Sequence, residues 1–152
     1  MVAVGRSKGR SIFVVVMLLP STLELASTDA TGLCTVRWLA DSPPAALQSE
    51  YEALLGELLA RQSARWLFDI RCRPVPDMET ANWVALNWLP RAAAQVLTGP
   101  LRVAYLISPE RAAHIASDPH LLDAVHDALA PNRRYLLALF GDENTARRWL
   151  LA

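Results

Sequence analysis

The sequence is poor in the residues that hold small proteins together by cross-links or metal ions. Its 152 residues include only two cysteines and no C-x-x-C pair, which excludes a disulfide framework and a structural zinc site. Lysine occurs once, as Lys8, and arginine supplies every other basic side chain, a usage typical of a GC-rich bacterial genome. We therefore expect a hydrophobic core to stabilise the fold, with no metal and no cofactor.

Neither sign of charge is in excess, because 15 basic residues balance 15 acidic ones. This balance excludes a broadly basic nucleic-acid-binding protein and an acidic disordered chain. Apolar residues make up 53% of the sequence, but no run approaches the ~20 residues that a membrane-spanning helix needs. We expect no nucleic-acid partner and no transmembrane segment.

The first twenty residues resemble a secretory signal, with basic residues up to Arg10 and an apolar stretch that ends at Pro20. Cleavage after Ala26 would place Glu24 at the −3 position, where a small residue is needed. We therefore interpret residues 1–20 as an N-terminal extension. The natural start is expected at Met17, so that residues 1–16 lie upstream of it and pack loosely or extend the first strand. The expected location is cytoplasmic, and the alternative is an exported protein whose residues 1–20 act as a signal.

Residues 21–152 predict a single α/β domain. Two strands, 22–27 and 33–39, form a hairpin around the turn 29–32, and compact apolar runs at 64–71, 101–107 and 135–140 are typical of buried strands. Helices are expected to begin near Ser42, Asp77, Ser108, Asp118 and Asp142, with Ser42 and Asp77 as N-caps. This alternation predicts a mostly parallel sheet of about five strands with an N-terminal β-hairpin and helices packed on it.

Helical periodicity predicts which side chains are buried. The first helix has a stripe of Leu47, Tyr51, Leu54, Leu55, Leu58 and Leu59, with Glu50, Glu52 and Glu57 outside it. The second has a stripe of Trp83, Leu86, Leu89, Ala93, Val96 and Leu97, with a kink at Pro90. Core packing is expected for the tryptophans Trp38, Trp66, Trp83 and Trp88, and a core packed solid with them would leave no room for a ligand.

Three segments carry a family resemblance: the strand 66–71 (WLFDIR), the strand 101–108 (LRVAYLIS) and the end of the chain, 139–150 (LFGDENTARRWL). With them, residues 21–152 resemble the STAS-like family, which includes bacterial anti-sigma-factor antagonists. Those antagonists carry an Asp-Ser-Ser/Thr-Gly turn with a phosphorylatable serine. Here Met78 and Glu79 follow Asp77 in its place, so the resemblance implies a regulatory module without the serine switch.

Ligands of open parallel sheets bind at the carboxyl ends of the strands, where the loops 71–77, 108–110 and 141–142 should converge. Two arginines beside helix N-termini suit an anion or an acidic side chain of a partner. The candidate binding residues are Arg71, Arg73, Asp77, Glu79, Thr80 and Ser108. The alternative is that both arginines only form ion pairs with Asp77, Glu79 or Glu110 on a solvated rim.

No residues in the sequence form a recognisable catalytic set. His114, His120 and His126 are six residues apart, which puts them on different helix faces, and there is no G-x-S-x-G elbow. Cys72 lies between two arginines that could lower its pKa, but no base accompanies it, so an enzyme using Cys72 is the weakest alternative.

We therefore expect a non-enzymatic regulatory or protein-interaction module whose partner is another protein, and a homodimer is an open alternative. A second function is also compatible with the residues, namely a carrier domain for a small anion or a lipid. A pocket of ~300 Å3 or more would favour the carrier.

Overall fold

A computed structural model describes residues 2–7, 10–15, 19–28, 30–130 and 134–152. For residues 2–15 the description is limited to backbone pairing. Met17, the expected natural start, and Asp29, part of the predicted hairpin turn, lie outside the described residues.

The strands form two separate sheets. The larger one has five strands in sequence order, with the first pair antiparallel and the others parallel. These strands are β3 Leu23–Thr28, β4 Leu33–Trp38, β5 Arg65–Asp69, β6 Leu101–Leu106 and β7 Tyr135–Phe140. The predicted single-domain α/β fold with a mostly parallel sheet and a leading hairpin is confirmed.

The N-terminal residues contribute a hairpin that the sequence analysis did not predict. Strand β1, Val2–Ser7, pairs antiparallel with β2, Arg10–Val15, in a two-stranded sheet of its own. These strands pair with each other and do not prolong the larger sheet.

Six α-helices and one π-helical segment lie between and after the strands in the described part of the chain. They are α1 Pro44–Ala60, α2 Met78–Trp83, the π-helical segment Val84–Trp88, α3 Leu89–Gln95, α4 Pro109–Ser117, α5 Pro119–Ala128 and α6 Glu143–Leu151. In the described ranges no helix combines the length and the apolar character that crossing a membrane requires.

The predicted N-cap Asp77 is confirmed, and Ser108, Asp118 and Asp142, where helices were expected to begin, are N-caps as well. The side chains of all four accept hydrogen bonds from backbone N–H groups of their helices. The predicted N-cap Ser42 is wrong. Pro43 precedes α1, and the Oγ of Ser42 instead donates a hydrogen bond to Oε1 of Glu50 at 2.8 Å.

The two faces of the large sheet are covered unequally. Helix α1, the segment from α2 to α3 and the pair α4–α5 pack on one face, where Trp66, Phe68 and Tyr105 alternate with residues of the other face. The opposite face contacts α6 through a smaller cluster that includes Leu67 and Leu150. The loops that follow β5 and β6 therefore lie at the same edge of the sheet, beside the face that α1 to α5 cover.

Glu50 corrects the prediction that it lies outside the apolar stripe of α1, since the residue is only 4% exposed. Its carboxylate accepts hydrogen bonds from Oγ1 of Thr22 at 2.7 Å and from Nε1 of Trp38 at 3.0 Å, besides the one from Ser42. Three donors thus compensate the buried charge and join α1 to the β3–β4 hairpin.

The apolar stripe predicted for the second helix is wrong in part, because Leu86 and Leu97 are 69% and 93% exposed. Leu97 lies beyond the end of α3. For Leu86 the cause is the π-helical segment, in which the N–H of Leu89 donates to the carbonyl of Val84, five residues earlier. The wider turn rotates the side chains that follow, so Trp88 and Leu89 are both buried. The irregularity begins ahead of Pro90, the position of the expected kink.

Candidate functional site

A cavity of about 100 Å3 lies between the helix-covered face of the sheet, α2 and α5, and we call it the chamber. Fifteen of its twenty lining residues are aliphatic or proline. The other five carry polar groups: Tyr51, Arg73, Thr80, Tyr105 and Arg111. No tryptophan lines this space, and Trp66 and Trp88 pack against Phe68 instead. The core therefore leaves a small space at this position, below the ~300 Å3 that would favour a carrier of a whole metabolite.

Arg73 follows β5 and is only 3% exposed, which corrects its placement on a solvated rim. Its Nε donates to Oδ1 of Asp41 at 2.9 Å, and Nη2 lies 3.6 Å from Oδ2 of Asp77. The two carboxylates are half-exposed or exposed and compensate the buried guanidinium from the solvent side. The predicted pairing with Asp77 is confirmed, whereas Asp41 was not expected.

Arg111 lies in the first turn of α4, where its N–H is bonded to the Oγ of Ser108 at 3.1 Å. Its Nη1 donates to the backbone carbonyl of Arg73 at 2.9 Å, and no carboxylate of the described residues forms a salt bridge with it. Burial and the nearby Arg73 cation lower the pKa of Arg111, but a guanidinium stays protonated in proteins. Arg111 thus has no carboxylate in direct contact, although the nearby Asp77 carboxylate also favours its charged form.

The hydroxyls of Tyr51 and Tyr105 lie 2.8 Å apart at the wall of the chamber. Burial raises the pKa of both phenols, so both are protonated at neutral pH. Two O–H groups that share one hydrogen bond use only one of their protons for it. The second proton is available to a third group.

Thr80 lines the chamber, but its hydroxyl is buried within the protein. The residue is 5% exposed, and its Oγ1 has no hydrogen-bond partner among the described residues. Its backbone N–H donates to Oδ1 of Asp77 at 2.7 Å, which fixes the residue in the first turn of α2. An unpaired buried hydroxyl costs about 1–3 kcal/mol, and this one does not face the open space of the chamber.

The polar and the apolar lining occupy different parts of the chamber. Arg73 and Arg111 follow the carboxyl ends of β5 and β6. Tyr105 is paired with Leu139, whereas Leu137 is paired with Val103, two residues nearer the amino end of β6. Two residues of strand span about 6.6 Å, so the aliphatic wall continues away from the cationic end.

The structure brings together only part of the predicted binding set. Arg73 and Thr80 line the chamber, Asp77 caps α2 and pairs with Arg73, and Ser108 is a buried N-cap. Arg71 and Glu79 are exposed and lie outside it, together with Val75, which is 57% exposed. We call these three exposed residues the rim.

Arg71 is bound to Asp69 rather than to an acidic residue of its own loop. Its Nε and Nη2 donate to the two carboxylate oxygens at 3.0 and 2.8 Å, and Nη1 of Arg37 donates to the same group at 2.7 Å. Burial alone would raise the pKa of Asp69, but the hydrogen bonds from Arg71 and Arg37 outweigh it and lower that pKa.

Cys72 does not have the environment of an activated thiol. Its Sγ donates to the carbonyl of Trp38 at 2.9 Å. Burial and the Asp41 carboxylate raise the pKa of the thiol, and Arg73 opposes them only in part. The expectation that neighbouring arginines lower this pKa is therefore wrong.

Sequence reasoning missed three chamber residues, namely Tyr51, Tyr105 and Arg111. Both tyrosines fit apolar patterns, in a helical stripe and in a buried strand, and these patterns predict burial without indicating that the two hydroxyls meet. The only local signal for Arg111 is its place three residues after an N-cap, beside the predicted ligand edge.

Comparison of the chain with protein-family models, with curated proteins and with solved structures found no match. The STAS-like relationship stays a prediction from the sequence segments that suggested it. Function is inferred from the chamber and the rim.

Proposed function

We propose that this protein is a non-enzymatic binding module that holds a small anion in the chamber. The observation that carries the proposal is the Arg111 guanidinium in the chamber wall, which bonds to a backbone carbonyl and forms no salt bridge with a carboxylate of the described residues. A spare phenolic proton of the Tyr51–Tyr105 pair adds a neutral donor at the same wall. An anion in the chamber would accept hydrogen bonds from both.

The size of the chamber restricts what it holds. Its volume of about 100 Å3 is below the ~300 Å3 typical of pockets for drug-sized molecules. A whole lipid does not fit in this space, so of the two carrier ligands considered from the sequence the anion is favoured.

The proposal includes a regulatory role of STAS-like type without a phosphorylation switch. Thr80 is the hydroxyl residue nearest to the position of the family's serine, and its burial withholds the hydroxyl from a kinase. We place the protein in the bacterial cytoplasm, because both cysteines, Cys34 and Cys72, are free.

An NMR titration tests the anion proposal. We expect sodium acetate, at constant ionic strength, to shift the amide signals of Thr80 and Arg111 in a saturable way, while neutral acetamide of the same shape does not. Arg111→Gln should abolish the saturable shift, and the matched variant Arg148→Gln, at an exposed arginine of α6 on the opposite face of the sheet, should retain it. The proposal is wrong if acetamide and acetate produce the same shifts, or if no anion saturates.

A second candidate function is a protein-interaction module that uses the rim. The specific observation is the exposure of an apolar residue, Val75, between the charged residues Arg71 and Glu79 on a loop at the ligand edge of the sheet. The partner would be another protein, or a second copy of this chain as a homodimer.

Sedimentation and affinity capture test the rim. The double variant Arg71→Ala/Val75→Ser should weaken a captured partner, or shift a dimer to monomer, with little change in stability. Leu97→Ser, at a residue that is 93% exposed and follows α3, is the matched control. Equal behaviour of both variants would show that the rim is not the interface.

A further inference from the structure

We infer that β7 pairs antiparallel with β7 of a second copy of this chain, so that the five-stranded sheets of the two copies join edge to edge. The inference goes beyond the proposed function, since it concerns a surface other than the chamber and the rim. That surface is the edge of the sheet farthest from the β3–β4 hairpin.

Strand β7 has one open side. It is the last strand of the sheet, and β6 is its only strand neighbour in the described part of the chain. The N–H of Ile107 donates to the carbonyl of Phe140 at 2.9 Å, so Phe140 directs its backbone groups to β6. Backbone groups alternate in direction along a strand, and those of Leu137 and Leu139 therefore point to the open side.

Strand β7 lacks the features that prevent edge strands from pairing. Its residues, Tyr135–Phe140, include no charged side chain, no proline and no glycine. The other edge strand, β3, contains Glu24, and Nη1 of Arg61 donates to the Oγ of its Ser27 at 2.7 Å. Natural sheets use charges and covering groups against edge-to-edge association. The contrast between the two edges indicates that β7 is the one that pairs.

Apolar surface accompanies the open edge. Leu136 is 40% exposed and lies on the same face of β7 as Phe140, which packs on the α6 cluster. At the carboxyl end of the strand, an open space of about 180 Å3 borders Leu139, Phe140 and Gly141. A second strand along this edge would cover the exposed leucine.

The ends of β7 carry opposite charges, which select one register. Arg134 precedes the strand, is exposed and forms no salt bridge with a described carboxylate. Asp142 follows the strand, is exposed, and accepts hydrogen bonds from the N–H and Oγ1 of Thr145 at Oδ2 alone, which leaves Oδ1 for another donor. Arg148 favours the charged form of Asp142 but forms no salt bridge with it. A two-fold axis at Ala138 places Arg134 opposite the partner's Asp142 at both ends of the pair.

The same register satisfies the backbone and the side chains. Leu137 and the partner's Leu139, whose N–H and C=O groups are on the open side, become a hydrogen-bonded pair. Ala138 meets the partner's Ala138, and Leu136 meets the partner's Phe140, in the pairs without hydrogen bonds, where Cα atoms approach to about 4.5 Å. A small side chain on the axis with an apolar pair on each side fits this close approach.

Sedimentation velocity and amide hydrogen exchange of the full chain test the inference over about a hundredfold range of protein concentration. We expect a monomer–dimer equilibrium, with slow exchange of the Leu137 and Leu139 amides that is lost on dilution. The inference is wrong if the protein is monomeric throughout or if these amides exchange fast in the dimer. Slow exchange in a persistent monomer would assign the edge to another segment of the same chain, such as the β1–β2 hairpin, and would also overturn it.

Two variants test the register. Leu136→Lys brings a cation against the partner's Phe140 and should weaken the dimer about tenfold or more. Arg134→Glu places two acids opposite each other and should weaken it to a similar degree, about tenfold, and less so at high salt, which screens the repulsion. Amide NMR spectra show whether each variant remains folded. The matched control, Leu39→Lys, changes a leucine after β4 that is 56% exposed and should leave the dimer intact. A dimer that both folded variants retain would lie on another surface and would overturn the inference.

Discussion

Glu50→Ala tests how the β3–β4 hairpin is attached to α1. The change removes a carboxylate that accepts hydrogen bonds from Thr22, Trp38 and Ser42. Nε1 of Trp38 is buried and loses its partner, which costs about 1–3 kcal/mol, and each bond to a charged group contributes about 1.5–3 kcal/mol. Thr22 and Ser42 are half-buried and regain water. We therefore expect the free energy of unfolding to fall by about 3–4 kcal/mol.

Urea denaturation followed by circular dichroism measures this loss at unchanged m-value. Glu50→Gln keeps the shape and one acceptor, so about 1–2 kcal/mol is expected. The matched control is Glu52→Ala on the exposed side of α1, where the carboxylate pairs with Arg91 and contributes less than ~1 kcal/mol. Equal losses for Glu50→Ala and Glu52→Ala would refute the argument that the buried network stabilises the hairpin.

Three further predictions concern single side chains. Thr80→Val should raise the free energy of unfolding by about 1 kcal/mol in urea melts, because it removes a buried hydroxyl without a partner. Trp66→Ala should lower it by about 3–5 kcal/mol, measured in the same way, since the side chain is fully buried and leaves a cavity. The pKa of Asp69 is lowered in the folded state, so its carboxylate stabilises the protein above the unfolded pKa of about 3.9, and this stability is lost as pH falls through the folded pKa. Asp69→Asn should reduce the loss of stability below pH 4 in acid titrations, and an unchanged acid limb would contradict the assigned ion pairs.

The elements that could be predicted from the sequence are those defined by neighbouring residues. Strand β7 was predicted with its exact bounds, because a six-residue apolar run lies between polar and glycine-containing segments. Asp77 was predicted as an N-cap and Asp142 as the start of the last helix, since a short polar side chain before a helical pattern bonds to N–H groups of the next turn.

Buried charges were not predictable in this way. Glu50 and Arg73 were assigned to solvated positions because an isolated charge is costly to bury. In the fold each is compensated by residues distant in sequence: Trp38 for Glu50, and Asp41, 32 residues away, for Arg73. No local pattern contains that information, so the chamber residues became evident only when the loops after β5 and β6 were placed together.

The π-helical segment explains why the predicted helical stripe is wrong at Leu86. The N–H of Leu89 bonds to the carbonyl of Val84, five residues earlier, which makes a wider turn just ahead of Pro90, a residue that has no N–H to donate. A regular helix with the predicted stripe would direct Leu86 inward, whereas the π turn leaves it exposed and places Val84, Ala85 and Leu89 in the chamber wall. Such turns are frequent at functional sites. The segment that interrupts the apolar periodicity therefore also supplies part of the chamber wall.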